Sequence, residues 1–299
     1  MLKIDPVTFV PTVIGNLSVG SKWPGGVLAM NAHVYAMPEG CGAGILDINT
    51  NNDTFQVIST PAIAIHIGGA CYHSTVLGVN GKVYGIPASA DQIMEFDPTT
   101  GDIQFVGPNF YTDPTYQMLT GWRWCRAITA PNGKIYSLGT FGVSPTLEFD
   151  PITGATRFYP TYAGEHCGAV LGPDGKIYSF PDSTTDVTEF DPETGIQHTY
   201  DTGVVHGGYT GVLAPNGKIY SPGGTGKLLE FDTATKAFQY LSDPDPSHVA
   251  FYAEGGILTP QGKIVYASFA TNSLLVIDPH AAKNFPENVA LSPWLNSTH

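Results

Sequence analysis

Six stretches of this chain repeat one pattern: a short apolar run, a turn of the N-G-K type, then I-Y or V-Y. They are GGVLAMNAHVY (25–35), STVLGVNGKVY (74–84), AITAPNGKIY (127–136), GAVLGPDGKIY (168–178), GVLAPNGKIY (211–220) and GGILTPQGKIVY (255–266). A second motif of the type L-x-F-D-P-x-T-G runs between the copies. The turn residues of successive copies fall at 31, 80, 132, 174, 216 and 261, spaced by 49, 52, 42, 42 and 45 residues. Periods of about 40 to 50 residues mark solenoids or propellers. No copy has a 3.6-residue apolar period. Each has short Val/Ile/Tyr/Phe/Leu runs bounded by Gly, Pro, Asn and Asp, the pattern of strands joined by tight turns.

The copy at 211–241 can be read strand by strand. Residues 211–214 form strand A. Pro215-Asn216-Gly217 makes a hairpin turn, because Asn and Gly tolerate the positive φ that such turns need. Residues 218–221 form strand B, 222–226 a loop, 228–231 strand C, 232–235 a second turn and 238–241 strand D. Four antiparallel strands per period make a propeller blade. The sequence therefore predicts an all-β chain, one β-propeller domain over 1–299. Six blades are expected, with seven as the alternative. Six A–B hairpins are visible, whereas C–D turns begin at seven aspartates: Asp5, Asp47, Asp97, Asp150, Asp191, Asp232 and Asp278. The surplus lies at the chain ends. Residues 2–14 are expected to supply outer-strand material to the last blade and so close the ring without an open sheet edge.

Composition narrows the function classes. Charged residues are 13% of the chain and the formal net charge is −13. That argues against a nucleic-acid partner, which needs clustered Lys and Arg. No run of 18 apolar residues occurs, so no membrane insertion is expected. The N-terminal MLKIDPVTFV lacks a basic-then-apolar signal pattern and matches the blade repeat.

Three recurrent features read as structural. The C–D aspartates fit turn chemistry: Asp accepts backbone N–H bonds, Pro fixes φ and Gly takes a left-handed conformation. Five lysines follow the A–B turns (Lys82, Lys134, Lys176, Lys218, Lys263) and read as solvated turn residues. The four cysteines (Cys41, Cys71, Cys125, Cys167) show no C-x-x-C spacing, which excludes the usual zinc patterns. They read as small buried apolar groups, with a disulfide between neighbours left open.

Function is expected on the D-to-A connections, which differ from blade to blade on an otherwise repetitive scaffold. Registered on the turns, Trp23, Tyr72, Trp124, His166 and Tyr252 fall at equivalent depth. Lys22, His73, Arg123, Arg126, Glu165, His206, Tyr209, His248 and Glu254 fall close by. The segment Gly121-Trp122-Arg123-Trp124-Cys125-Arg126 holds two of the three arginines. Stacking faces beside bidentate donors suit sugars, carboxylates or phosphates. The long 107–122 connection, rich in Tyr and Pro, is expected to cap a channel or to meet a partner.

The copies resemble the superfamily of streptogramin lyase-like, gluconolactonase-like and NHL-type propellers, through G-x-D/N-G-x-hydrophobic-aromatic followed by I/F-D-P-x-T-G. Residues 168–195 carry the resemblance best. It implies architecture. The W-F-T-E signature of the lyase-like members reads here as I-Y-S-L, I-Y-S-F and I-Y-S-P, without the acid. Gluconolactonase-like members hold a divalent ion with Glu, Asn and Asp in the channel, where this chain offers only Glu165 and Glu254 as acidic candidates. No cofactor and no metal are therefore expected.

Three functions follow from these features. The first is a non-catalytic recognition or assembly module whose partners are other protein subunits or a cell-surface receptor or glycan. Its composition suits a virion component (phage tail, fibre or capsid decoration), located on the particle or outside the cell. The second is a lyase or hydrolase in which His166, His206 or His73 acts as base and Arg123 or Arg126 stabilises negative charge. The third is a lectin-like sugar binder using Trp23, Trp122 and Trp124.

Overall fold

A computed structural model describes residues 1–15, 17, 23–65, 69–113, 122–139, 144–160, 167–223, 226–242, 253, 255–268, 273–280 and 287–290. The N-terminal hairpin is β1 (Leu2–Ile4) and β2 (Pro11–Val13). The first blade follows with β3 (Val27–Leu28), β4 (His33–Ala36), β5 (Ile45–Asn49) and β6 (Thr54–Ile58). The second has β7 (Tyr72–Leu77), β8 (Val83–Pro87), β9 (Ile93–Phe96) and β10 (Ile103–Val106), and the third β11 (Ile128–Thr129), β12 (Ile135–Ser137), β13 (Thr146–Phe149) and β14 (Thr156–Tyr159). The fourth has β15 (Val170–Leu171), β16 (Ile177–Ser179), β17 (Asp186–Phe190) and β18 (Gln197–Asp201). The fifth has β19 (Val212–Leu213), β20 (Lys218–Pro222), β21 (Lys227–Asp232) and β22 (Phe238–Ser242). The sixth has β23 (Gly256–Leu258), β24 (Ile264–Ala267), β25 (Ser273–Ile277) and β26 (Glu287–Ala290). Every four-stranded sheet is a meander in sequence order, the topology of a propeller blade. The fold class is a six-bladed β-propeller.

The chain forms two compact units. One comprises Gly20–His166 and Pro192–Gln197, the other Met1–Val19, Cys167–Asp191 and His198–His299. In the first unit, Tyr35, Met37, Tyr72, Met94 and Phe96 form one core cluster. Tyr84, Ile86, Phe110, Trp124, Ile135 and Phe149 form another. In the second unit, Tyr178, Phe180, Val187, Ile219 and Phe231 pack together, as do Tyr220, Leu228, Ile264, Tyr266 and Leu275. Blades pack through the I-Y of strand B and the aromatic of strand C, which explains why those positions recur.

The N-terminal segment differs from expectation in its pairing. β1 and β2 make their own two-stranded sheet, and β26 completes the sixth blade. Leu2, Ile4 and Phe9 pack on Val265, Leu274 and Val276 of that blade. The hairpin thus covers a blade with side chains rather than adding a strand to it.

The aspartate turns match the turn chemistry, with one correction. Asp97 Oδ1 accepts the Thr99 and Thr100 N–H groups, and Asp150 and Asp232 repeat the arrangement. Asp47 does not cap a turn. It lies inside β5, is 4% exposed and bonds His33 and Gln56. Asn49 takes the cap position and accepts the Asn51 N–H at 2.9 Å. Asp47 thereby aligns with Glu95, Glu148, Glu189 and Glu230 of the later blades.

Four of the five turn lysines, Lys82, Lys134, Lys176 and Lys218, are also corrected. Lys82 Nζ lies 2.7 Å from Glu95 Oε1 and Lys134 Nζ 2.5 Å from Glu148 Oε1. Lys176 bonds Glu189 and Lys218 bonds Glu230 in the same way. The glutamates are buried, and the strand-B tyrosines Tyr84, Tyr136 and Tyr178 share their second oxygen. What reads in sequence as a solvated turn residue is half of a partly buried ion pair.

Candidate ligand-binding site

The site lies in the first unit, at the end of the blades opposite the A–B turns. Three segments meet there: the β4–β5 loop, the start of β7 and the segment leading into β11. The loop is fixed on β7 by two backbone bonds, Cys71 N–H to Glu39 O at 2.7 Å and Tyr72 N–H to Pro38 O at 3.2 Å. The disulfide Cys41–Cys71 adds a covalent clamp, and none of the four cysteines is free. The reading of the cysteines as reduced buried groups is therefore corrected. Together these bonds bring Glu39 Oε1 to 3.5 Å from His73 Nε2.

The segment before β11 closes over His73. The Trp122 ring lies 5.0 Å from the imidazole, tilted by 45°. Trp122 rests on Gly69: a Cβ there would stand 2.7 Å from the indole nitrogen. Arg126 Nη1 donates to Pro24 O at 3.4 Å, and Ala127 N–H donates to Ser74 Oγ at 2.8 Å. Burial, reinforced by the positive charge of Arg126, pushes His73 down to about 4. The imidazole is neutral at pH 7. Trp122, Arg126, Glu39 and Trp23 are half-buried, so each keeps a surface toward solvent. Trp23 donates its indole N–H to Gly44 O at 2.9 Å on the same loop that carries Glu39.

Other expected site residues are placed inside the protein. Trp124 is fully buried, donates to Pro145 O at 2.9 Å and packs on Phe110 and Phe158. Arg123 is 2% exposed, donates to Ala90 O and lies over the Phe110 and Trp124 rings. Burial lowers it to about 10, with Asp91 and Tyr72 opposing that shift. Tyr72 is fully buried and donates to Gln92 O at 3.1 Å. These three support the site from behind. Of the three indoles expected of a sugar site, Trp124 is therefore withdrawn into the core, while Trp122 and Trp23 stay half-buried.

In the second unit, His206 is fully buried and its Nε2–H donates to Ser221 O at 2.8 Å. Gly208 and Gly223 flank the ring; a Cβ on either would come within 2.5 Å of it. Burial pushes this histidine down to about 4. Tyr209 is half-buried beside it in sequence. Lys22, Glu165, His166, His248, Tyr252 and Glu254 lie outside the described residues.

Sequence reasoning did not single out Glu39. Its signal is the E-G-C run at 39–41, thirty residues before Cys71. Glu39 and His73 offer one carboxylate and one imidazole, two of the three protein ligands that a catalytic zinc takes. The arrangement suits recognition: an aromatic face, a guanidinium and a carboxylate around a neutral imidazole. Among the described residues, no helix is long and apolar enough to cross a membrane.

No known family profile matches the chain, and no curated protein sequence matches it. Solved structures do. A catalytically inactive variant of virginiamycin B lyase from Staphylococcus aureus, with quinupristin, superposes with a TM-score of 0.70 at 14% identity, over 93% of this chain and 88% of that one. The selenomethionine form of the same lyase gives 0.68 at 13% identity, over 91% and 85%. YCF48 bound to D1 peptide gives 0.61 at 11% identity, over 92% and 87%. At these identities the likeness is one of architecture: the chain shares its propeller fold with lyases and with a peptide-bound protein alike.

Proposed function

We propose that the chain is a non-catalytic recognition propeller that binds a segment of a protein partner at the loop end carrying Glu39, His73, Trp122 and Arg126. The observation behind this is the half-buried Trp122–Arg126–Glu39 group, clamped by the Cys41–Cys71 disulfide and backed by a sealed core. Tryptophan and arginine are the residues that most often anchor protein interfaces. Glu39 and Arg126 give the surface one anion and one cation, which favours a partner segment with both charges.

Catalysis fits less well. A general base works best with a pKa near the working pH. His73 is held near 4, and His206 is both held near 4 and sealed from solvent. A propeller of the same architecture solved with a bound peptide supports a peptide-like ligand.

The disulfides suit an oxidising setting, as on a virion surface or outside the cell. A virion placement is the narrower form of this proposal. Mass spectrometry of purified particles is its test, and consistent absence of the chain would end it.

The recognition reading is tested by panning a displayed peptide library on the protein, then measuring selected peptides against Trp122→Ala and Arg126→Ala. Peptides that bind the parent and lose affinity for both variants support it. Peptides that bind parent and variants equally overturn it, as does a library that yields no binder.

A further inference from the structure

Just after its A–B turn the first blade departs from the four that follow it, and the repeat supplies its own control. In the second to fifth blades the residue after the A–B turn is a lysine bonded to a strand-C glutamate. The first blade has His33 and Asp47 there, with 2.5 Å between Nδ1 and Oδ1. Both side chains are shorter than their counterparts. Beside them lies a cleft of about 240 Å³ lined by His33, Asp47, Asn49, Thr54, Phe55 and Gln56.

The hydrogen bonds already made fix what the wall can offer. Asp47 accepts from Gln56 Nε2 at 2.9 Å as well as bonding His33, so Gln56 keeps its oxygen as an acceptor. The Asn49 oxygen is engaged by the Asn51 N–H, so its amide nitrogen is the group left to donate. The Thr54 hydroxyl donates to Asn52 Oδ1 at 2.7 Å, which leaves it accepting. The wall thus alternates donors and acceptors, and Phe55 supplies an apolar part. The Asp47 carboxylate disfavours an anion, and an apolar molecule would strand these polar groups. A hydroxyl both donates and accepts, so a ligand with adjacent hydroxyls satisfies such a wall. The cleft is smaller than the roughly 300 Å³ at which pockets for drug-sized ligands begin, which limits the ligand to about one ring.

We propose that this first-blade cleft is a monosaccharide-sized site that takes a neutral pyranose, free or at the end of a glycan. It lies at the turn end of the blade and is independent of the loop-end site.

Saturation-transfer NMR with the methyl glycosides of glucose, galactose, mannose and N-acetylglucosamine tests it. The decisive variant carries His33→Lys with Asp47→Glu. It rebuilds the ion pair of the other blades and fills the cleft with a lysine tail. At least one glycoside is expected to give transfer to its ring protons with the parent protein. That signal should be about tenfold weaker in the variant, with the melting temperature equal or higher. If the double variant fails to fold, Thr54→Lys at an exposed position applies the same test. No signal with any glycoside overturns the proposal, and so does a signal that survives filling of the cleft. A response of the His33 resonances to divalent cations but not to glycosides assigns the cleft to a cation and overturns it too.

Discussion

Lys236 Nζ lies 2.7 Å from Glu189 Oε2, so a turn of the fifth blade neutralises a buried carboxylate of the fourth. Lys236 holds the turn position that Gly101, Gly154 and Gly195 hold elsewhere, and it does so at φ 63°. The fifth blade gives up the P-x-T-G form of the motif, and with it gains a second cation on Glu189. Two lysines and the Tyr200 hydroxyl hold that carboxyl down to about 2 against the effect of burial.

Lys236→Gly sets two effects against each other. Relief of a left-handed non-glycine residue is worth about 1 kcal/mol. Removing one of two cations from a buried carboxylate costs about 2 kcal/mol or more. Net destabilisation of about 1 kcal/mol is expected by urea unfolding. Ala32→Gly is the contrast. Ala32 sits at φ 62° in the first blade, where later blades have Gly, and its side chain carries no ion pair. That change is expected to stabilise by about 1 kcal/mol. If Lys236→Gly stabilises the protein as Ala32→Gly does, Lys236 is not a working partner of Glu189.

The two buried histidines make a pH prediction. Each has a folded pKa near 4, below the usual 6.5. The unfolded chain binds those protons first, so the stabilisation is complete above pH 6.5 and is lost as pH falls from 6.5 to 4. Below 4 the contribution is flat. Each histidine accounts for a loss on the order of 3 kcal/mol. His206→Gln, which can keep a donor for Ser221 O, should remove about half of the slope in that window. Urea midpoints measured between pH 4 and 7.5 check this, and an unchanged slope in His206→Gln would count against a buried neutral imidazole.

Cys41 and Cys71 close a loop of 30 residues. Chain-entropy reasoning gives such a bridge about 3 to 4 kcal/mol. Cys41→Ser with Cys71→Ser is expected to lower stability by that order. It should also weaken peptide binding at the loop end, because Glu39 is carried by the clamped loop. Stability that falls while affinity stays constant would mean the two backbone bonds alone hold Glu39 in place.

The strands and turns were legible because the physics there is local. Asn-Gly turns, aspartate caps and two-residue alternation are all set within a few residues, and their recurrence from blade to blade leaves little ambiguity. What escaped was non-local. The partner of Lys82 lies thirteen residues away on strand C, and no composition rule connects them. Asp47 reads as a cap in sequence because the first blade lacks the D-P-x-T-G turn and Asp47 is the aspartate nearest to the missing cap position. Along 122–126, sequence places Trp and Arg in alternation but cannot say which of them turn inward. The cores around Phe110 and Ala90 decide that for Trp124 and Arg123.

Amide hydrogen exchange with and without a selected peptide tests the loop-end assignment most directly. Slower exchange is expected in residues 37–43 and 122–127 when the peptide is bound, with the A–B turns at 78–82 and 131–134 unchanged. Protection at those turns, with 37–43 and 122–127 unaffected, would place recognition at the opposite end of the blades and contradict the account.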